Sequence, residues 1–203
     1  MATGLRERKR LAMMRRTQDA ALDLCDERGY GHVSIEQVAD RAEVSVSSIY
    51  RHFGSKEAIL LWNPDWEGDS VRNATPRPDE SLLSELRRVT QDTLVGGSAE
   101  AEEWHRRRLR YLLDEPSLTA LLGGQLIAAT DLVAEVLANR TGRERSDVQI
   151  RVNAGALVGA MLAALRSWRA ADYATPLDAV LDEVFEAIQD GLPLLTHPPA
   201  DLR

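Results

Sequence analysis

The stretch from residue 34 to 57, S-I-E-Q-V-A-D-R-A-E-V-S-V-S-S-I-Y-R-H-F-G-S-K-E, constrains the fold more than any other. It holds two short helical periods joined by a tight break. Ser34 followed three residues later by Gln37 has the form of a capping box, and Ile35, Val38, Ala39 and Ala42 then fall on one face. This predicts a helix over about 35 to 42. Ser45 is the cap of a second helix, in which Ile49 and Phe53 sit one turn apart as the buried edge. Gly54 stops that helix and Ser55 caps the next. Two capped helices with so short a break make a helix-turn-helix.

The outer side of the second helix carries Ser47, Ser48 and Arg51, flanked by Tyr50 and His52. Short hydroxyls let a backbone approach a groove closely and still exchange hydrogen bonds, while Tyr50, Arg51, His52 and Lys56 have the reach to meet phosphate oxygens. Free amides at the helix starts near Ile35, Val46 and Lys56 add anion-binding capacity. The same surface also fits the polar face of an ordinary helical hairpin, and composition does not separate the two readings.

A resemblance does. Val44-Ser45, Ile49-Tyr50-Arg51-His52-Phe53 and Ser55-Lys56-Glu57 resemble the N-terminal signature of TetR-type transcriptional regulators. Upstream, Ala20, Ala21, Leu24, the run Glu27-Arg28-Gly29-Tyr30, Ser34-Ile35 and Val38-Ala39 sit at that family's spacing, so the resemblance covers about residues 12 to 62. It implies recognition-helix contacts to double-stranded DNA from Val46, Ser47, Ser48, Tyr50 and Arg51. It also implies phosphate contacts from Ser34, Ser45, His52 and Lys56. One position departs from the pattern, because the family usually has glycine where this chain has Glu43. Glycine suits a turn that needs positive φ, so Glu43 is expected to be strained, and its charge to weaken DNA affinity without abolishing it.

The net charge of −7 looks unsuited to a DNA binder until it is divided along the chain. Residues 1–62 carry ten Lys/Arg against nine Asp/Glu, whereas the remainder carries fifteen against twenty-three. Over residues 5–16, Arg6, Arg8, Lys9, Arg10, Arg15 and Arg16 are opposed only by Glu7. A basic arm ahead of a helix-turn-helix is placed to follow the phosphate backbone or enter the minor groove, although residues 1–8 fit a solubilising tail equally well. Ala and Leu dominate and long β-branched runs are missing, which makes an all-α protein of about nine helices the expectation. The single cysteine, Cys25, cannot form an internal disulfide and falls on the apolar side of the first helix as a core thiol. The basic opening lacks the apolar run of a secretory signal. The uncharged apolar stretch over residues 152–165 is shorter than the ~18 residues of a membrane span. A cytoplasmic protein with no membrane partner is therefore expected.

The predicted organisation is a DNA-binding domain over 1–62 with its basic arm, a proline-containing connector over 63–80, a ligand-binding and dimerisation domain over 81–193, and a disordered tail over 194–203. The first helix is predicted from about 5 to 29. Pro64 breaks or kinks the helix that follows Ser55, where the family has one long connecting helix. Later helices are predicted over about 81–94, 99–113, 117–139, with Gly123-Gly124 as a bend, 146–170, and 176 to about 190. In the most apolar of them, Gly155, Gly159 and Ala163 recur every four residues as a ridge on which a second helix packs closely. The last two helices together suggest a homodimer built as a four-helix bundle, which the family resemblance also implies. Completion of the monomer's own core is the alternative.

The resemblance further implies a small-molecule effector held by the C-terminal helices. Polar and aromatic groups set in apolar helical runs are the candidate contacts: Trp104, Arg108, Tyr111, Gln125, Thr130, Asn153, Arg166 and Trp168. R-R-R-L-R-Y-L-L-D-E-P-S-L, followed later by A-L-R-S-W-R, is similar to a TetR branch with an acyl-CoA-like ligand. In that reading Arg106, Arg107, Arg108 and Arg110 pair with ligand phosphates, unless Glu100, Glu102, Glu103, Asp114 and Glu115 neutralise them. No P-loop, Rossmann glycine pattern, nucleophile elbow or zinc spacing is present, and the four histidines are scattered. Neither an enzyme nor a bound metal or cofactor is expected. A ligand-responsive DNA-binding regulator, by family habit a repressor on an inverted repeat, accounts for both halves. A helical carrier or interaction module would account only for residues 80–192.

Overall fold

Local capping chemistry sets the helix boundaries of the N-terminal half. The computed structural model describes residues 2–63, 74–75, 77–96 and 98–191, and among these the chain is all-α with nine helices. The first helix, α1, runs Ala2–Arg28, followed by a 3-10 turn at Tyr30–His32. Helices α2 (Ile35–Arg41), α3 (Val46–Phe53) and α4 (Lys56–Leu61) come next. Then follow α5 (Leu82–Leu94), α6 (Ala99–Asp114), α7 (Pro116–Thr141), α8 (Val148–Ala170) and α9 (Leu177–Gln189). The expected break at Pro64, most of the connector, and the tail from 194 lie outside the described residues.

The capping box is complete. The Gln37 amide donates to Ser34 Oγ at 3.3 Å, and the Ser34 amide donates to Gln37 Oε1 at 2.9 Å. Ser45, Ser55 and Ser81 accept from the amides of Ser48, Ala58 and Ser84 in the same way. Helix α2 ends in a Schellman arrangement: the Val44 amide donates to Ala39 O at 2.9 Å and the Glu43 amide to Asp40 O at 3.1 Å. Glu43 occupies the position where glycine is favoured, with φ at 54°.

Two compact units divide the chain. The first comprises Met1–Glu67 with Arg107–Leu122, and the second Gly68–Arg106 with Gly123–Arg203. In the first, α1 packs on α2 and α4, and α3 packs on α2 and α4. Leu22, Val38, Ala42, Ile49, Ile59 and Leu118 are fully buried there. The basic residues ahead of Leu11 are helical from Ala2, a few residues before the predicted start, and Arg10 turns back onto Glu7 at 2.6 Å. An i,i+3 ion pair among good helix formers suffices to carry the helix outward.

In the second unit α9 packs on α8 and α5 around Leu86, Ala134, Leu137, Ile150, Ala154, Leu157 and Phe185. Buried Glu85 accepts from Arg140 at 2.7 Å, and Asp182 accepts from both Arg87 and Gln91. On α9 the apolar side chains divide: Val180, Val184 and Ile188 are half-buried, whereas Leu177, Leu181 and Phe185 are buried within the unit. The exposed large apolar side chains are instead Ile127 on α7 (69% exposed) and Val148 and Val152 on α8 (71% and 63%). Gly155 and Gly159 face open space beside them.

By length and composition alone α7 and α8 are each apolar enough to cross a membrane, and only 17% and 28% of their most apolar windows are buried. The uncharged run of α8 ends at Arg151 and Arg166, whereas a helix of this composition stays apolar on average across an isolated charge.

Candidate DNA-binding surface

Helix α3 is held by its inner edge and open on its outer one. Ile49 is fully buried and Phe53 half-buried, with the Phe53 ring edge-on to Trp62 at 6.0 Å. This fixes the rotation of a helix too short to be stable alone. Tyr50, 52% exposed, and the exposed Ser47 and Arg51 therefore project outward. At the amino end a hydroxyl web joins Ser45 Oγ to Ser47 Oγ at 3.0 Å and to Ser48 Oγ at 2.8 Å. Arg51 reaches Ser48 Oγ at 3.4 Å. Val46 and His52 are half-buried at the flanks. Small hydroxyls at the amino end, with one phenol and one guanidinium a turn later, form a surface that approaches closely and exchanges both donors and acceptors.

The phosphate-contact candidates differ in how far they are already engaged. Ser34 Oγ accepts in the capping box, and hydrogen bonds from its own amide and from Ser34 hold the Glu36 carboxyl below its ordinary range. Lys56 donates to Tyr30 O and Val33 O, both at 3.1 Å, with its ammonium 4.0 Å from the Tyr30 ring centroid. Its first task is to hold the 3-10 turn against α4. Tyr30 donates to Glu57 at 3.2 Å, and burial, followed by the neighbouring Glu57 charge, pushes its phenol up to about 12.

Residues 107–122 belong to this unit although they lie far along the chain, and their role was not legible from spacing. Arg107 bridges Asp23 at 2.8 Å and Asp26 at 2.5 Å, and Tyr111 donates to Asp26 at 2.7 Å. Arg108 is buried and donates to Leu60 O at 2.7 Å and Leu61 O at 2.9 Å. Gln18, buried in α1, donates to Ile59 O and Trp62 O at 2.8 and 2.6 Å. The carbonyl end of α4 is thus capped from two sides, one of them cationic, as the helix dipole favours. A faint signal existed: Gln18 interrupts the apolar spacing of Met14, Leu22 and Cys25.

The eight effector-contact candidates do not converge. Arg108 and Tyr111 serve the first unit, as above. Half-buried Trp104 stacks edge-on to His105 at 4.9 Å; Thr130 donates to Leu126 O at 2.8 Å; Asn153 is exposed and donates to Gln149 O at 2.7 Å. Gln125 is half-buried and Arg166 exposed. Only Trp168 is buried in the second unit, its indole donating to Thr175 O at 2.8 Å. The arginine run is committed within the protein: Arg106 donates to Tyr173 O at 3.3 Å, and Arg107 and Arg108 hold α1 and α4. The expected neutralisation by Glu100, Glu102, Glu103, Asp114 and Glu115 is replaced, for Arg107 and Arg108, by partners in α1 and α4.

Comparison with known proteins decides the family. Residues 19–61 match the family described as bacterial regulatory proteins, tetR family, and residues 80–193 match the MftR C-terminal domain. The chain belongs to the TetR family, with a C-terminal domain of the MftR type. It is 24% identical over 193 residues to MftR of Mycobacterium tuberculosis, named for transcriptional regulation of mycofactocin biosynthesis, across 94% of this chain and 96% of that one. Its helix-turn-helix region is 44% identical over 62 residues to the HTH-type transcriptional regulator TcmR of Streptomyces glaucescens, covering 29% of this chain and 26% of that protein. Among solved structures it shares its fold with the TetR-family repressor FadR of Thermus thermophilus, solved with lauroyl-CoA, at a TM-score of 0.57 and 22% identity. That match covers 88% of this chain and 94% of FadR. This TetR-family protein is a DNA-binding regulator of transcription.

Proposed function

We propose that the protein is a ligand-responsive repressor that binds an inverted-repeat operator as a homodimer and is released by a small-molecule effector. The observation that carries this reading is the outward face of α3, where Tyr50 is 52% exposed on a helix anchored at its inner edge by fully buried Ile49. Val46, Ser47, Ser48, Tyr50 and Arg51 read base edges in the major groove, and Ser34, Ser45, His52 and Lys56 lie along the phosphates. For Lys56 the charge matters more than its N–H groups, two of which the 3-10 turn already holds.

The dimer forms through α7 and α8. Val148, Val152 and Ile127 are large apolar side chains left exposed on these two helices, and the Gly155–Gly159 ridge, which shares a groove with Ile127, admits a second helix at close range. A second copy covers this face instead of lipid, because Asp131 and Arg151 line its 350 Å³ groove and a two-fold axis sets charges of opposite sign against each other. The dimer presents two α3 helices to half-sites about one helical turn, ~34 Å, apart.

The effector acts through α6. This helix begins in the second unit and ends in the first, where Arg107, Arg108 and Tyr111 hold α1 and the end of α4. A shift of α6 worth about 1–3 kcal/mol of coupling is enough to change operator occupancy. A regulator whose target is chromosomal DNA works in the cytoplasm, with neither a membrane partner nor a catalytic role.

Footprinting on genomic fragments at two salt concentrations tests the reading. A short inverted repeat should be protected, with affinity falling steeply as salt rises. Tyr50→Ala should abolish specific protection while leaving the dimer intact. Unchanged operator affinity in that variant would remove α3 as the reading element.

A further inference from the structure

A cavity of about 120 Å³ lies beside the turn that joins α8 to α9. Its walls are the buried side chains of Leu94, Val95, Trp168, Tyr173 and Leu177, and its rim carries Glu102 and Arg106. The turn that closes it is unusual. Asp172 and Tyr173 stand in succession at φ of 51° and 59°, a left-handed pair built without glycine. That conformation brings the Tyr173 ring edge-on to Trp168 at 4.8 Å, with the Tyr173 amide donating to Trp168 O at 3.0 Å. Backbone strain held in place by surrounding contacts concentrates where a protein binds or switches.

We infer that this cavity is the effector site and that its ligand is a neutral single-ring aromatic compound bearing one hydroxyl or amide group. This rests on the regulator reading above. The walls are apolar and aromatic, so they desolvate a ring and offer edge-to-face contacts. An enclosed apolar cavity of about 150 Å³ takes a benzene molecule; this one is a little smaller but open at its rim, so one ring fits with its polar group at the mouth, and a long acyl chain does not. The rim sets the polar group. Glu102 and Arg106 are one turn apart on α6, offering an acceptor and a donor with opposite charges. A hydroxyl satisfies both at once, whereas a carboxylate meets Glu102 and an ammonium meets Arg106.

The site also has a route to the DNA-binding unit. Arg106 donates to Tyr173 O on the cavity wall, and the next two residues of the helix are the arginines that hold α1 and α4. A ligand that displaces the Arg106 contact therefore acts on the helix that carries both clamps.

The test titrates the full-length protein with phenol, benzoate and benzylamine, following methyl resonances of Leu94, Val95 and Leu177. Phenol should saturate and shift all three, with benzoate and benzylamine at least tenfold weaker. Ala174→Phe, at an exposed lining position where folding is not at risk, should weaken phenol at least tenfold with an unchanged melting temperature. Failure of phenol to saturate, or equal affinity in the variant, overturns the site. Operator occupancy is measured separately. Phenol should lower it for the unsubstituted protein and not for Ala174→Phe. Binding without any change in occupancy overturns the effector role, and the absence of any footprint before phenol is added counts against the DNA-reading proposal alone, since the titration still reports on the cavity.

Discussion

Replacing Glu43 with glycine separates two costs that this one side chain imposes. At φ 54° it sits at the left-handed position of the Schellman motif that ends α2. An L-residue there costs about 1–2 kcal/mol, and glycine gives back about 0.5–1 kcal/mol through its freer unfolded chain. Glu43→Gly should therefore stabilise the protein by about 0.5–1 kcal/mol, or about 1–4 °C in melting temperature for a chain of this size. Its charge is a second matter. Two like charges about 8 Å apart in water repel by roughly 0.5 kcal/mol, so removing one from each protomer should tighten operator binding roughly fivefold. Glu43→Gln removes the charge and keeps the strained backbone. Thermal melting and operator titration of both variants at two salt concentrations give the assay. Glycine should raise stability and affinity together, and glutamine affinity alone. If Glu43→Gly is no more stable than Glu43→Gln, the strain argument fails; if Glu43→Gln leaves affinity unchanged, Glu43 does not face the duplex.

Arg108→Met removes two charge-assisted hydrogen bonds to the end of α4, each worth about 1.5–3 kcal/mol, while sparing the desolvation of a buried guanidinium. Urea denaturation should show a net loss of about 2–4 kcal/mol, and a loss below ~1 kcal/mol would mean that Gln18 alone holds α4. Burial pushes the Cys25 thiol up to about 11 from 9.0, so the native protein should react slowly with alkylating reagents at pH 8. Because the fold favours the protonated thiol, its stabilising contribution is complete below about pH 9 and lost as pH rises through about 11; Cys25→Ala should flatten the fall of the urea midpoint across that window. Val152→Lys places a charge on a side chain that is 63% exposed in the monomer and should weaken dimerisation at least tenfold by sedimentation, with helix content unchanged. A wild-type protein that sediments as a monomer would refute the interface.

Much of the first unit was legible because its signals are local. Capping serines, the Ser34–Gln37 box, the stop at Gly54 and the departure at Glu43 each involve residues within five positions of one another, and each stands where spacing placed it. What was misplaced depended on distant partners. Spacing offers Arg107 and Arg108 either ligand phosphates or the acids close by in sequence, but they meet Asp23, Asp26 and two carbonyls of α4. The apolar faces of α8 and α9 read alike along the chain, yet α9 is covered by α8 and α5 while the outer side of α8 is not. The wall of the 120 Å³ cavity draws on residues 94 to 177, of which the sequence places only Trp168 among the effector contacts.

By itself, the order of residues determined the helices, their ends, and the hydroxyl-rich face of α3, because hydrogen bonds to caps and the 3.6-residue period act over a few positions. Only the tertiary structure decided which apolar stripe is buried, which arginines are spent on carbonyls, and where a ring-sized cavity opens. Those outcomes follow from which distant surfaces meet, and a side chain's partner across forty or eighty residues leaves no periodic trace in the chain.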